Sequence, residues 1–329
     1  MIAVTGANGL LGSYMVRKLC ETNTPFMAIK RKGSDTSLLN DLKEKITWRE
    51  ADVTDSISLQ EAFAESTGVI HTAAYVSFNP RKANLIFEIN TEGTKNVVNA
   101  CLVNNITRLL HVSSVSALGR QKGQTHLTEE NKWMDSSINS KYGESKYEAE
   151  LEVFRGQEEG LSTVIVNPSV ILGFSNWDKS SAQLFKYAWQ QRPFYMEGSL
   201  NYVDVRDVAE TCFQLFHSTL EGERFILNAG AIPFKDFFDK IAAGFKKKGP
   251  TIKVTRNYLK IVAAMEDIRT RLLGSEPLIT GETARLAGTY FLYDNQKVKN
   301  ALNFNFQTID NTVLWCCEQY TRAYGIKNQ

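Results

Sequence analysis

The chain has 329 residues, 43% of them hydrophobic, and a formal net charge of +2. That is enough for a large core in one large or two smaller domains, and the near-neutral charge excludes a general basic field for nucleic acid. No apolar run approaches the ~18 residues of a membrane span.

Met1-Ile2-Ala3-Val4-Thr5-Gly6 lacks a charged stretch before its short apolar run, so no signal peptide is expected. Ile2 to Thr5 reads as a buried strand running into a glycine-rich turn, and Leu10 to Cys20 as a helix. Strands are then expected at Phe26 to Lys30, Ile46 to Glu50, Gly68 to Thr72, Arg108 to Ser113 and Ser162 to Val166. Between them fall helical patterns at Leu59 to Glu65, Asn84 to Asn104 and Tyr142 to Glu158. Strands alternating with helices mean βαβ units and a parallel sheet covered on both faces. The strand runs are apolar throughout, as fully buried parallel strands are.

The second half changes character. Residues 174–201 are less periodic, Tyr202 to Val208 returns to strand then helix, and Arg224 to Asn228 to a strand. Helical patterns follow at 234–247, 256–273, 280–288 and 309–323. The expected fold is α/β: a Rossmann-type, doubly wound parallel sheet with a smaller, discontinuous, mostly helical C-terminal lobe. The dinucleotide-binding part would comprise 1–169 and 202–230, and the substrate lobe 170–201 and 231–329, with part of 289–302 packing back on the first.

Five cysteines, at 20, 101, 212, 316 and 317, are odd in number and lack metal-ligand spacing. Reduced thiols, a cytoplasmic location and no metal are expected. His71, His111, His126 and His217 show no ligand or triad spacing and read as core or surface groups.

Thr5-Gly6-Ala7-Asn8-Gly9-Leu10-Leu11-Gly12 lies between strand and helix, the context of a phosphate loop. Glycines let the backbone approach a pyrophosphate, and the helix N-terminus supplies amides and a favourable dipole. An acid after the second strand would bind a ribose hydroxyl, and a cation would accommodate a 2′-phosphate. The chain has Lys30-Arg31-Lys32 there and no acid until Asp35. Arg31 is the natural phosphate fork, the alternative being a solvated basic strand end, so NADP(H) is favoured over NAD(H). After the third strand, Asp52 is placed to accept from an adenine amine or is simply an exposed loop acid, with Val53 beside it.

Tyr142 and Lys146 are one helical turn apart on one face. An ammonium beside a phenol is expected to lower the tyrosine pKa. The fifth strand ends in Val112-Ser113-Ser114, where open α/β sheets bind ligands.

Taken together these residues resemble the extended short-chain dehydrogenases/reductases, the NAD-dependent epimerase/dehydratase superfamily. The carriers include the loop at 5–12, Asp52, His71-Thr72-Ala73-Ala74, Asn90-Thr91-Glu92-Gly93-Thr94, Ser113-Ser114, Tyr142 with Lys146, Asn167-Pro168-Ser169 and Tyr202-Val203-Asp204-Val205-Arg206-Asp207. The nearest likeness is to dihydroflavonol-4-reductase-like and 3β-hydroxysteroid-dehydrogenase-like reductases. The resemblance implies Tyr142 as general acid/base, Lys146 holding the nicotinamide ribose and Ser114 on the substrate carbonyl. Cofactor contacts would come from Gly6, Asn8, Gly9, Leu10, Leu11, Gly12, Lys30, Arg31, Asp52, Val53, Thr72, Ala73, Ala74, Val112, Ser113, Tyr142, Lys146, Asn167, Pro168 and Ser169. Ser113 reads as the structural neighbour of Ser114. Asn90 reads as helix surface or as support for the site. By analogy, helices 84–104 and 142–158 would pair across a homodimer.

Val76, Ser77 and Phe78, with Tyr75, are candidates to face substrate, joined by Phe174, Trp177, Phe194 and Tyr195. Aromatics lining a pocket suit an apolar or ring-bearing carbonyl compound, and core packing is the alternative for each. The expected partner is therefore a small-molecule carbonyl or alcohol. A nucleotide-sugar epimerase or dehydratase is the second reading. Val170 and Leu200-Asn201 stand where those enzymes typically carry Asn and Arg, and no acids follow Ser113. An NADP(H)-sensing protein without catalysis is the third.

Overall fold

A computed structural model describes residues 1–255, 258, 288 and 290–325, apart from 122 and 137. The expected helices at 256–273 and 280–288 lie almost wholly outside the described residues. The chain opens with β1 (Ile2–Thr5), turns through Gly6 and enters α1 (Leu10–Glu21). β2 (Phe26–Lys30), β3 (Trp48–Glu50), α2 (Ser56–Phe63) and β4 (Gly68–His71) follow. The third strand starts at Trp48 rather than Ile46, because a 3-10 stretch, Ser37–Lys45, carries the chain up to it.

The long helix expected over 84–104 runs without interruption from Ala83 to Val103, with its middle turn widened. α3 (Ala83–Phe87) and α4 (Gly93–Val103) are joined by a π-helical turn, Glu88–Glu92. Such a turn widens the helix and re-aims one side chain, here Asn90. Next come β5 (Arg108–Val112), β6 (His126–Leu127), α5 (Lys141–Glu158), β7 (Ser162–Pro168), β8 (Val170–Leu172) and α6 (Ala182–Trp189). β9 (Phe194–Met196), β10 (Ser199–Asp204), α7 (Val205–His217), β11 (Glu223–Leu227), β12 (Gly230–Pro233) and α8 (Phe234–Gly244) continue. β13 (Ile252–Val254), β14 (Leu292–Tyr293) and helices Gln296–Leu302 and Ile309–Tyr324 complete the described elements.

Seven strands form one sheet in the order β3-β2-β1-β4-β5-β7-β11, all pairs parallel. The chain winds outward from β1 to β3, then restarts at β4 on the other side of β1. The crevice at the C-terminal ends of β1 and β4 is therefore the switch point at which such sheets bind ligands. Alternate strand residues serve opposite faces. Val4 and Leu110 pack under α1 and α7 with Met15 and Cys212. Ala3 and Leu109 pack under α2, α4 and α5 with Phe63, Val97 and Val153.

A separate cluster joins Leu172, Phe185, Leu200, Phe237, Ile241 and Tyr320 beside a three-stranded sheet, β12-β10-β8. Fully burying each such side chain stabilises by about 1.5–3 kcal/mol. Helix Gln296–Leu302 returns to the large sheet, where Val298 is buried in the α1/α7 core.

Candidate active site

The glycine turn is built for close backbone approach. Gly6 has φ +68°, and a Cβ there would lie 2.7 Å from the Ala73 nitrogen. A Cβ on Gly12 would lie 2.1 Å from the Gly6 oxygen. Gly9 caps α1 without a side-chain acceptor, so the first-turn amides beside Leu10 and Leu11 stay available to an anion. Asn8 Nδ2 donates to the Asp35 carbonyl at 3.1 Å, tying this turn to the loop after β2.

On that loop Lys30 is already committed, with its ammonium 3.0 Å from Glu50. Arg31 and Lys32 are exposed. With Ser34, Asp52 and Ser58 they line a concavity of about 500 Å³. Asp52 Oδ1 accepts from the Thr54 amide at 3.0 Å and its hydroxyl at 2.9 Å. Val53 is buried, and its carbonyl accepts from Asn96 Nδ2 at 2.9 Å.

Ser140 starts α5 by accepting from the Gly143 amide at 2.7 Å. The helix then presents Tyr142 and, one turn on, Lys146. Lys146 is 1% exposed. Its Nζ donates to the Val112 carbonyl at 2.8 Å and stands 3.3 Å from His111 Nε2. Burial brings its pKa down to about 8, opposed by the nearby Glu150 carboxylate. Tyr142 is pushed up to about 12 by burial, with the Ser114 hydroxyl pulling the other way. The expected lowering of the phenol by Lys146 is thus not found. The ammonium is aimed at the end of β5 and the imidazole, not at the phenol.

Ser114 is the extended residue that caps a short 3-10 turn, Val115–Leu118, accepting from the Ser116 amide at 3.1 Å. Ser113 faces inward, and its hydroxyl donates to Glu150 Oε1 at 2.5 Å. The same Oε1 accepts from Asn167 Nδ2 at 2.6 Å, and Asn167 Nδ2 also donates to the Ser114 carbonyl at 3.0 Å. Glu150 Oε2 lies 3.2 Å from Arg224. One buried carboxylate therefore gathers the ends of β5 and β7, β11 and α5. Asn167 Oδ1 and Ser169 Oγ, on either side of Pro168, are buried with no hydrogen-bond partner among the described residues. With the glycine cradle and the uncapped α1, those orphaned atoms fit a dinucleotide cofactor.

After β4, Thr72 Oγ1 donates to the Thr5 carbonyl at 2.7 Å and the Ala73 amide to Thr5 Oγ1 at 3.4 Å; Ala74 is exposed. Tyr75 is held at both backbone atoms by Asn90, at 2.7 and 3.0 Å. Asn90 also donates to Ser145 Oγ at 3.0 Å, and Ser145 donates to the Tyr142 carbonyl at 2.8 Å. Asn90 is 1% exposed, so it supports the site rather than facing solvent.

Val76 and Phe78 are exposed, and the Phe78 ring meets the Tyr142 ring edge-on at 5.9 Å. Ser77 is turned inward, accepting from the Asn79 amide at 3.2 Å. Of the two readings of Trp177, the described residues favour core packing. Its indole is buried, edge-on to Trp189, Tyr320 and Tyr324 in the second core. Tyr195 lies on β9 with the Lys235 ammonium 5.8 Å over its ring. Asn201 spends its amide on the Phe291 carbonyl at 2.8 Å.

The fold and this set of groups are those of a nucleotide-cofactor enzyme. Residues 2–230 match the NAD dependent epimerase/dehydratase family; the chain belongs to that family and is an NAD(P)-dependent oxidoreductase. It is 27% identical over 334 residues to a putative dihydroflavonol 4-reductase of Synechocystis sp., covering 99% of this chain and 96% of that one. It is 29% identical over 241 residues to cinnamoyl-CoA reductase 1 of Petunia hybrida, covering 69% and 72%. The crystal structure of gox2253 superposes with a TM-score of 0.83 at 28% identity, over 99% of this chain and 98% of that one.

The sequence alone did not place Glu150 or His111 at the site, and it offered His71 only as part of the His71-Thr72-Ala73-Ala74 motif. Glu150 had a readable signal, one helical turn beyond Lys146 on the same face. The meeting of the two histidines had none, because only strand pairing sets them side by side, with His71 opposite His111.

Proposed function

We propose that this protein is an NADP(H)-dependent carbonyl reductase acting on an apolar, ring-bearing ketone or aldehyde. One observation carries the reading: Ser114, Tyr142 and the buried Lys146 converge at the end of β5, with the exposed Phe78 ring against Tyr142. The glycine turn would hold the pyrophosphate, Asp52 the adenine, Arg31 and Lys32 the 2′-phosphate, and Lys146 the nicotinamide ribose. Bound NADPH supplies hydride to the carbonyl carbon. Tyr142, whose pKa of about 12 keeps it protonated near neutral pH, gives its proton to the carbonyl oxygen. Ser114 donates a hydrogen bond to that same oxygen, stabilising the charge that develops there. Asn167 and Glu150 keep Ser114 in place from below.

Support against a nucleotide-sugar substrate comes from Val170 and Asn201, neither of which offers the cation or free amide that a sugar nucleotide would need. The direct test is turnover of aromatic and alicyclic aldehydes and ketones, followed as NADPH oxidation, with NADH in parallel. The reading requires NADPH-dependent reduction that Tyr142→Phe abolishes. No turnover, together with tight binding of UDP or dTDP, would transfer the case to the nucleotide-sugar enzymes.

A further inference from the structure

We infer that His111 is a positioning residue for Lys146, a neutral imidazole whose Nε2 accepts from the ammonium and holds it toward the cofactor. The inference rests on the reading of Lys146 as a cofactor-binding group.

An ammonium has three N–H donors and no acceptor. One of those on Lys146 goes to the Val112 carbonyl at 2.8 Å. A second faces His111 Nε2 at 3.3 Å. These partners are successive residues of β5, one offering a backbone oxygen and the other a side chain. Strand alternation puts His111 on the same face as Leu109, the face that α5 covers. The third N–H remains for a ligand hydroxyl.

For Nε2 to accept, the proton of the neutral ring must sit on Nδ1. Burial, Lys146 and His71 all hold the His111 pKa well below its ordinary value, so the ring stays neutral. Nδ1 is buried and has no hydrogen-bond partner among the described residues. Leaving a buried donor unpaired costs about 1–3 kcal/mol, which a phenylalanine of similar shape would avoid. The contact with Lys146 gives the imidazole a reason to be there.

His71 backs the arrangement. Its ring lies 5.1 Å from that of His111, tilted by 37°. Thr94 Oγ1 donates to the Asn90 carbonyl at 2.6 Å, so at 3.1 Å it accepts from His71 Nε2–H. His71 Nδ1 then accepts from the Thr5 hydroxyl at 2.7 Å. Both nitrogens of His71 are therefore spent, and His71 is a fixed wall, not a competing partner for His111.

The titratable groups around Lys146 are His111 on β5, His71 on β4, and Tyr142 and Glu150 on its own helix; Arg224 of β11 faces Glu150. Two of them favour the ammonium against burial: Glu150 by its charge and His111 by its lone pair. Removing the lone pair favours the neutral amine and moves the Lys146 titration to lower pH.

The experiment is NADPH binding, read by nucleotide fluorescence from pH 6 to 10, on the full chain and on His111→Phe, His111→Gln and Lys146→Met. Glutamine can place an oxygen acceptor near the position of Nε2, whereas phenylalanine fills the space without one. Wild-type affinity should fall as pH rises through about 8, and Lys146→Met should lack that limb. His111→Phe should move the limb down by about 0.5–1 pH unit, and His111→Gln should restore it. Thermal melting checks folding, and His111→Leu takes the place of the phenylalanine variant if that variant does not fold. A limb at the wild-type pH in the folded apolar variant, or an equal shift in His111→Gln, overturns the inference. A limb that survives in Lys146→Met overturns instead the assignment of Lys146 to the cofactor, and this inference with it.

Discussion

Lys146 Nζ donates to the Val112 carbonyl at 2.8 Å, which locks helix α5 to the end of strand β5. Ser114 lies two residues beyond that carbonyl, and Tyr142 lies one turn before that lysine. The single contact therefore sets the separation of the two groups proposed to meet the substrate oxygen.

Removing the phenol isolates its role. Tyr142→Phe keeps the ring that packs on Phe78 but loses the proton. Turnover should fall by about 10²–10⁴-fold, with NADPH affinity changed by less than about threefold. Steady-state rates beside fluorescence titration check this, and retained turnover would remove Tyr142 from the chemistry.

Cofactor choice should follow Arg31 and not Lys30. Arg31 is exposed at the concavity, while Lys30 is paired with Glu50. Arg31→Ala should weaken NADPH by about 10–100-fold, as for one or two lost charge-assisted hydrogen bonds, and leave NADH nearly unchanged. Lys30→Ala should affect both nucleotides little. Dissociation constants for the two nucleotides decide the matter.

The Lys146 shift makes a stability prediction with a definite sign. The ordinary value is 10.5 and the folded one about 8. Between them the unfolded chain binds more protons, so this group's contribution to stability rises with pH through that window. Below pH 8 its burial as a cation costs about 3 kcal/mol relative to pH 10.5. Relative to Lys146→Met, the wild type should therefore gain stability by that amount as pH rises from 7.5 to 10.5. Urea unfolding of both proteins across the range measures it, and a pH-independent difference would refute it.

Glu150 should matter to fold and activity together. Glu150→Ala leaves Arg224 without its ion pair and takes the shared acceptor from Ser113 and Asn167. Breaking a buried pair from one side costs about 3–5 kcal/mol. A clear drop in Tm is expected, with a reduced kcat because Ser114 loses the support of Asn167. A Tm within a degree of wild type would show the carboxylate to be dispensable.

Much of this was legible locally. The strands at Ile2–Thr5 and Phe26–Lys30 stand out because unbroken apolar runs lie between glycines, prolines and polar turns. The glycine loop is legible because φ > 0 at Gly6 and the crowding at Gly12 tolerate no side chain. Less legible was the widened turn at Glu88–Glu92 within a continuous helix: the helical period continues, and only the reach of Asn90 to Tyr75 and Ser145 explains the widening. Trp177 was left between two readings for a related reason. An aromatic suits a pocket wall and a core equally, and its burial is decided by Tyr320 and Tyr324 far along the chain.

The sequence by itself determined the order of βαβ units, the phosphate turn, and Tyr142 and Lys146 on one helical face, because each depends on neighbours within a few residues. The tertiary structure alone decided what those groups feel. His111 stands 35 residues from Lys146 in the chain and Asn90 55 from Ser145. Glu150 meets Arg224 across 74. Parallel strand pairing and helix packing bring such distant polar groups into one low-dielectric interior. Desolvation and the Glu150 charge there set the Lys146 pKa, and hydrogen bonds set the direction of its ammonium.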